Sequence, residues 1–173
     1  MEKVRRFLLI GSILIVASIS MATERPTGFR GLTWGTEFET VKDEMVYSRT
    51  DPSYGGIEFY LRKNDEMVIG TAKLDSIEYG FWQNKFCDVI GLFSGYTNFS
   101  SIKGALFERF GSGSKPNRYI EEYIWFNFAE ATIYIKYSEI QKKGHFRIGS
   151  KELNEKAKQY QMQKDKEGAK KGF

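Results

Sequence analysis

Hydrophobic positions along the chain change period several times, and the changes mark out its elements. Phe7 to Ile19 is a 13-residue, largely apolar stretch behind Lys3, Arg5 and Arg6, and it is followed by Ser20-Met21-Ala22. A basic start, a short apolar run and small residues at Ser20 and Ala22 predict an export signal over 1–22, cut after Ala22 so that the chain then begins at Thr23. The run is shorter than the roughly 20 apolar residues that a membrane-spanning helix needs. No Cys lies beside the cut, so a lipidated N-terminus is not expected.

Beyond the signal, Phe38, Val41 and Met45 fall at helical spacing, and Thr36 with Glu39 reads as a capping box, predicting a short helix from Thr36. The period then drops to two. Gly56 to Arg62, Met67 to Ala72, Asp75 to Trp82 and Phe86 to Phe93 read as strands, with turn residues at 63–66 and 83–85. The plan then repeats. Phe99, Ile102, Leu106 and Phe110 predict a helix capped at Thr97 or Asn98 and ended by Gly111, followed by strands at Tyr119–Phe128, Ala131–Ser138 and His145–Gly149. A third helix begins at Ser150 with Leu153, Ala157 and Tyr160 as its apolar stripe, and the Lys-rich sequence after Gln161 has too little to bury to stay ordered.

This order predicts an α+β fold: two helix-plus-antiparallel-meander units, about 28–95 and 96–150, packing their helices on one face of a sheet, plus a C-terminal helix. Residues 23–150 form a single domain, and 151–173 form the helix and tail. On parity alone, Ile57, Leu61, Ile77, Ile124, Ile133 and Ile135 are expected to face the helices. The opposite parity carries Glu58, Tyr60, Arg62, Glu78, Trp82, Tyr123, Trp125, Tyr134 and Lys136.

Composition changes this picture in one respect. The 173 residues carry a net charge of +4 and a pI near 9.0, which suggests a nucleic-acid or membrane-surface partner. Residues 1–22 contribute +2 and 151–173 contribute +3, leaving 23–150 at −1, so no basic face is expected on the folded part.

Candidate chemistry is sparse. The single His145 has no second His to complete a metal pair or triad, and the single Cys87 sits in a strand-like run where a small apolar thiol is buried and inert. Asp43-Glu44, Asp65-Glu66 and Glu121-Glu122 lie at turns or element ends without the loop spacing of a calcium site. Gly111-Ser-Gly-Ser lacks the Lys and the strand-to-helix setting of a phosphate loop. No catalytic residue, metal or cofactor is expected.

The excess lies in aromatics, at 16% of the chain. Tyr and Trp interleaved with Arg and Lys are the residues that dominate protein interfaces. Tyr60, Arg62, Trp82, Tyr123, Trp125, Tyr134 and Lys136 are therefore the candidate contact residues, with packing of these rings on one another as the alternative. A Phe-rich interior able to hold a small apolar ligand is a second expectation.

Gly28-Phe-Arg-Gly-Leu-Thr-Trp-Gly-Thr, the run from Ile69 to Phe86, Asn98-Phe99 with Leu106-Phe107 and Phe110-Gly111, and Ile148-Gly-Ser150 resemble a family of uncharacterised exported (periplasmic) proteins of Gram-negative bacteria. A Trp-Gly-Thr lead into a short helix before a meander is similar in architecture to beta-lactamase inhibitor proteins and small outer-membrane assembly lipoproteins. That resemblance implies protein binding through a sheet face without catalysis; the export signal puts the expected location in the periplasm or outside the cell, with another envelope protein as the expected partner. The chain lacks the lipidated Cys of the lipoproteins and the disulfides of the inhibitors.

Overall fold

The computed structural model describes residues 24–172, and the expected signal over 1–22 lies outside the described residues. Strands β1 (Gly28–Phe29) and β2 (Leu32–Thr33) make a small hairpin. Two 3₁₀ turns, Phe38–Thr40 and Lys42–Glu44, lead into β3 (Met45–Asp51), and a third, Pro52–Tyr54, leads into β4 (Ile57–Arg62). A second small hairpin, β5 (Val68–Ile69) and β6 (Ala72–Lys73), precedes β7 (Ser76–Trp82), β8 (Lys85–Ser94) and α1 (Tyr96–Phe110). The second unit then runs β9 (Glu121–Trp125), β10 (Ala131–Ser138) and β11 (Lys143–Ser150), and α2 (Lys151–Gly172) closes the chain.

The fold is α+β, and its main sheet is antiparallel throughout, in the order β3-β4-β7-β8-β11-β10-β9. Each unit contributes a run of neighbouring strands, and the two runs meet where β8 pairs with β11. At this seam two Phe–Gly pairs sit directly across from each other, Phe146 opposite Gly91 and Phe93 opposite Gly144. A methyl group on Gly91 would lie 2.0 Å from the Phe146 ring, and one on Gly144 would lie 2.4 Å from the Phe93 ring. Each ring therefore lies over the bare backbone of the opposite strand.

The helix expected from Thr36 is replaced by the two 3₁₀ turns. The Thr36 hydroxyl donates back to the Thr33 carbonyl (2.8 Å) instead of capping. Backbone bonds from Gly35 N to Phe86 O (2.8 Å), Phe86 N to Thr36 O (2.9 Å) and Phe38 N to Asn84 O (2.7 Å) tie this stretch to the β7–β8 hairpin. A segment whose amides already have partners on a strand does not need the helical ladder, and Phe38 still packs against Tyr60 and Phe81. The β7–β8 turn itself is written in the sequence: Gln83 and Asn84 both take left-handed conformations (φ 47° and 62°), as a two-residue hairpin turn requires.

In the second unit, Phe99, Ile102, Leu106 and Phe110 form the buried stripe of α1, which ends at Gly111. Asn98 does not cap this helix. Its Oδ1 accepts from Lys73 N (3.0 Å) and its Nδ2 donates to Ser94 O (2.8 Å), tying α1 to β6 and to the end of β8.

The main core lies between the sheet, α1 and the β1–β2 and β5–β6 hairpins, and it is built on Tyr79, Phe81, Phe86, Val89, Phe93, Trp125, Ile133, Ile135, Phe146 and Ile148. A second, smaller cluster lies on the opposite face, where Leu153 and Ala157 of α2 cover Ile57, Phe59, Trp82 and Cys87. Among the described residues, no helix is long and apolar enough to cross a membrane. The helix α2 continues past Gln161, where composition predicts fraying. Side-chain pairs at i,i+4 (Gln161–Asp165, Gln163–Glu167) accompany the extension, which is otherwise exposed.

Candidate functional site

The alternation within each strand assigns every side chain to the α1 face or the α2 face, and cross-strand register aligns these into rows. On the α1 face one row reads Tyr47, Tyr60, Tyr79, Val89, Ile148, Ile133, Trp125. On the α2 face the neighbouring row reads Val46, Leu61, Glu78, Ile90, Arg147, Tyr134, Ile124, crossing all seven strands.

These rows correct the expected parity. Ile77, Ile133 and Ile135 do face α1, but Ile57 lies beneath α2, and Leu61 and Ile124 belong to the α2-face row. The seven candidate contact residues divide accordingly. Tyr60, Arg62, Tyr123 and Trp125 lie on the α1 side, whereas Trp82, Tyr134 and Lys136 lie on the α2 side. The reason is that both faces of this sheet are partly apolar, so alternation alone does not say which phase meets which helix.

Most of the seven are committed to packing. Trp125 is 1% exposed, and its indole donates to Gly111 O at 2.7 Å, closing the end of α1. Tyr60 packs on Phe38 and Phe81 and donates to Glu58 (2.8 Å); burial, reinforced by that carboxylate, pushes its hydroxyl up to about 12. Tyr123 packs edge-on to Phe107. Arg62 bonds Glu44 (2.8 Å) and the Arg30 carbonyl (3.2 Å). Trp82, 8% exposed, lies under α2 with Tyr160 edge-on and its indole donating to Gly55 O. Tyr134 and Lys136 remain on open sheet.

The open sheet is the candidate site. The helix α2 covers only the end of its face that carries Ile57, Phe59 and Trp82, leaving the seven-strand row beside it. Val46, Leu61 and Leu92 are exposed there at 48%, 36% and 40%, and Ile90, Ile124, Tyr134 and His145 are half-buried. Charges on this surface are already matched within it: Glu78 accepts from Ser48 (2.8 Å) and Arg49 (2.9 Å), and Lys136 faces Glu122 at 3.3 Å. His145 lies against Tyr134, and burial together with the Lys136 and Arg147 charges lowers its pKa, keeping the imidazole neutral at pH 7. The chain matches no family model, no curated protein and no solved structure.

Where this surface meets α2 it sinks into a groove of about 470 Å³, walled by Tyr54, Tyr134, Arg147, Asn154 and Lys158. Below it, Asp88 is fully buried and its Oδ2 accepts from Arg147 Nε at 2.7 Å. Burial outweighs the guanidinium here and pushes the Asp88 carboxyl up to about 6. Sequence reasoning missed this pair, which lies 59 residues apart in the chain.

A second cleft, about 410 Å³, opens on the α1 face between the β1–β2 hairpin and α1, with Leu32, Ile69, Ile102, Leu106, Phe146 and Ile148 lining it. Cys87 is wholly buried beneath α2, and desolvation raises its thiol far above the ordinary range. Among the described residues, no three His, Cys, Asp or Glu side chains converge as a metal site would need.

Proposed function

We propose that this protein is a non-catalytic binding or assembly module of the periplasm, contacting another envelope protein through the uncovered half of its α2-face sheet. The observation that carries the reading is the row Val46, Leu61, Glu78, Ile90, Arg147, Tyr134, Ile124. It is continuous across seven strands, mixed aliphatic, aromatic and charged, and it lies beside a helix that covers only part of the face. Rigid sheet presents such a row with little ordering cost on binding. Tyr134 and Lys136 are the members of the original seven that remain at this contact.

The test is site-specific photo-crosslinking in the native envelope. A crosslinker at Leu61, Leu92 or Tyr134 is expected to capture one discrete protein, and Leu92→Asp is expected to abolish capture from the other two sites. Equal capture from exposed positions on α2, such as Met162, would sink the proposal.

The second cleft favours one alternative, a small apolar ligand held between α1 and the β1–β2 hairpin. Native mass spectrometry of protein purified from the exported fraction checks it: a co-purifying small mass that is lost in Ala105→Trp supports the ligand, and an empty wild-type monomer removes it.

A further inference from the structure

One end of the sheet holds the two most exposed large apolar side chains among the described residues. Three connections meet there: the turn 139–142 between β10 and β11, the turn 117–120 before β9, and the entry to α1, where Gly95 N donates to the Lys142 carbonyl at 2.8 Å. Ile140, in the first turn, is 96% exposed, and Tyr119, in the second, is 80% exposed. Tyr96 and Ile120, at the same end, are exposed at 49% and 37%.

These turns are tied down. Lys142 takes a left-handed conformation (φ 54°) and reaches back to Glu139 at 3.0 Å, while Gln141 N donates to the Ser138 hydroxyl (3.2 Å). Tyr119 N donates to Asn117 Oδ1 at 2.9 Å. Turn tips usually carry Gly, Asn, Asp or Ser, whereas this one holds an isoleucine in solvent with no gain to the fold.

Charge indicates what the tip meets. Residues 23–150 are net −1, yet this end carries Lys115, Arg118, Lys142 and Lys143 against Glu121, Glu139 and Asp75. Lys115 pairs with Glu121 (2.6 Å) and Lys142 with Glu139. Asp75 accepts from the Ser94 hydroxyl at 2.7 Å, and Ser94 lies opposite Lys143. Arg118 and Lys143 make no ion pair among the described residues, and Arg118 lies over the Tyr119 ring at 4.6 Å. An aliphatic tip flanked by tyrosines and unpaired cations suits a bilayer interface: the apolar group enters the acyl boundary, the rings sit among headgroups, and Lys and Arg reach phosphates. A protein partner is served less well, because a stable contact buries about 800 Å² on each side and four apolar side chains on separate turns supply only part of that.

We propose that this end of the sheet docks on an anionic lipid surface, with Ile140 at the acyl boundary, Tyr96 and Tyr119 at headgroup depth, and Arg118 and Lys143 on lipid phosphates. It shares no residue with the row proposed as the protein contact, so the two stand or fall separately.

The test is vesicle co-sedimentation of residues 23–173, which hold every described element and leave out the apolar stretch 7–19. Saturable binding is expected on phosphatidylcholine vesicles containing about one-third phosphatidylserine, and binding about tenfold or more weaker on phosphatidylcholine alone. Ile140→Asp, at a position too exposed to affect folding, is expected to weaken binding about tenfold or more. Arg118→Gln with Lys143→Gln should do the same on the charged vesicles only, at about fivefold per cation. Leu61→Asp, in the proposed protein contact, and Lys158→Gln with Lys164→Gln, on α2, should leave binding unchanged. A fluorophore on Ile140→Cys, with Cys87 buried and unlabelled, should shift to the blue on binding and be quenched by lipids brominated in the acyl chain; one on Met162→Cys should do neither. No saturable binding, binding that survives Ile140→Asp but is lost in the α2 variant, or a label at 140 that stays in water overturns the proposal. So does capture of a discrete protein rather than lipid by a photo-crosslinker at Ile140 in the native envelope.

Discussion

Replacing Gly91 by Ala tests the seam between the two units. The new methyl group would sit 2.0 Å from Phe146 Cε1 and 2.3 Å from Cζ, where carbon atoms normally rest about 3.5–4.0 Å apart. Phe146 is 0% exposed and leans on Phe29 at 6.2 Å, so its ring has to move by about 1.5 Å into an occupied core. Overpacking of this kind costs about 1–3 kcal/mol, partly offset by the roughly 0.5–1 kcal/mol gained when Ala replaces Gly in a strand. The expected net loss is about 1–2 kcal/mol, read by urea unfolding with tryptophan fluorescence at unchanged m-value. Phe146→Leu alone leaves a cavity and is also expected to destabilise. In the double variant the two changes complement each other, so the loss should fall below the sum of the singles by about 1 kcal/mol or more. A Gly91→Ala protein within about 0.5 kcal/mol of wild type, or strict additivity in the pair, would refute the reasoning that the ring fills the glycine gap.

Leu153→Ala is expected to loosen α2 by about 2–3 kcal/mol and to speed native-state thiol labelling of Cys87 by about 30–150-fold. An equally large acceleration from Ile102→Ala, on the other face, would show that labelling reports global unfolding instead. Trp125→Ala should cost about 3–5 kcal/mol because it empties the core and orphans the Gly111 carbonyl, and loss of the native fluorescence and circular-dichroism signature would record it. His145 has its pKa lowered on folding, so the unfolded chain binds the proton more readily, and stability is lost as pH falls through the ordinary imidazole range. Wild type should therefore lose stability relative to His145→Gln between about pH 7 and 5, measured as the difference of their unfolding free energies; a constant difference would count against burial of a neutral ring.

Much of the fold was legible because single residues carried it. Phe99, Ile102, Leu106, Phe110 and Gly111 specify α1 and its end, and Gln83-Asn84 specify a hairpin turn. The strand Met45–Asp51 was missed because its own residues give no clean alternation: a bulge between Tyr47 and Arg49 shifts the phase, and as an edge strand it is exposed along most of its length. The segment from Met67 to Ala72, which reads as one sheet strand, forms a separate two-residue hairpin packed against α1 instead. The candidate site was half legible. Tyr134 and Lys136 announce themselves by chemistry, but their separation from Tyr60 and Trp125 depends on which face each helix takes. Leu61, Leu92 and Arg147 gave no local signal because their roles follow from register across strands.

The seam has a further consequence, in time rather than in space. Pairs inside each meander join residues close in sequence, as Phe81 with Phe86 or Ser138 with Lys143 do. The β8–β11 ladder joins Ser94 to Lys143 and Asp88 to Gly149, roughly fifty to sixty positions apart, and closing such loops is what slows folding. Each meander has local contacts enough to begin assembling while the other is still forming. Until the reciprocal Phe–Gly pairs lock, β8 is an open edge with an apolar face, so the interval before β11 arrives is when this chain is most exposed to pairing with another strand.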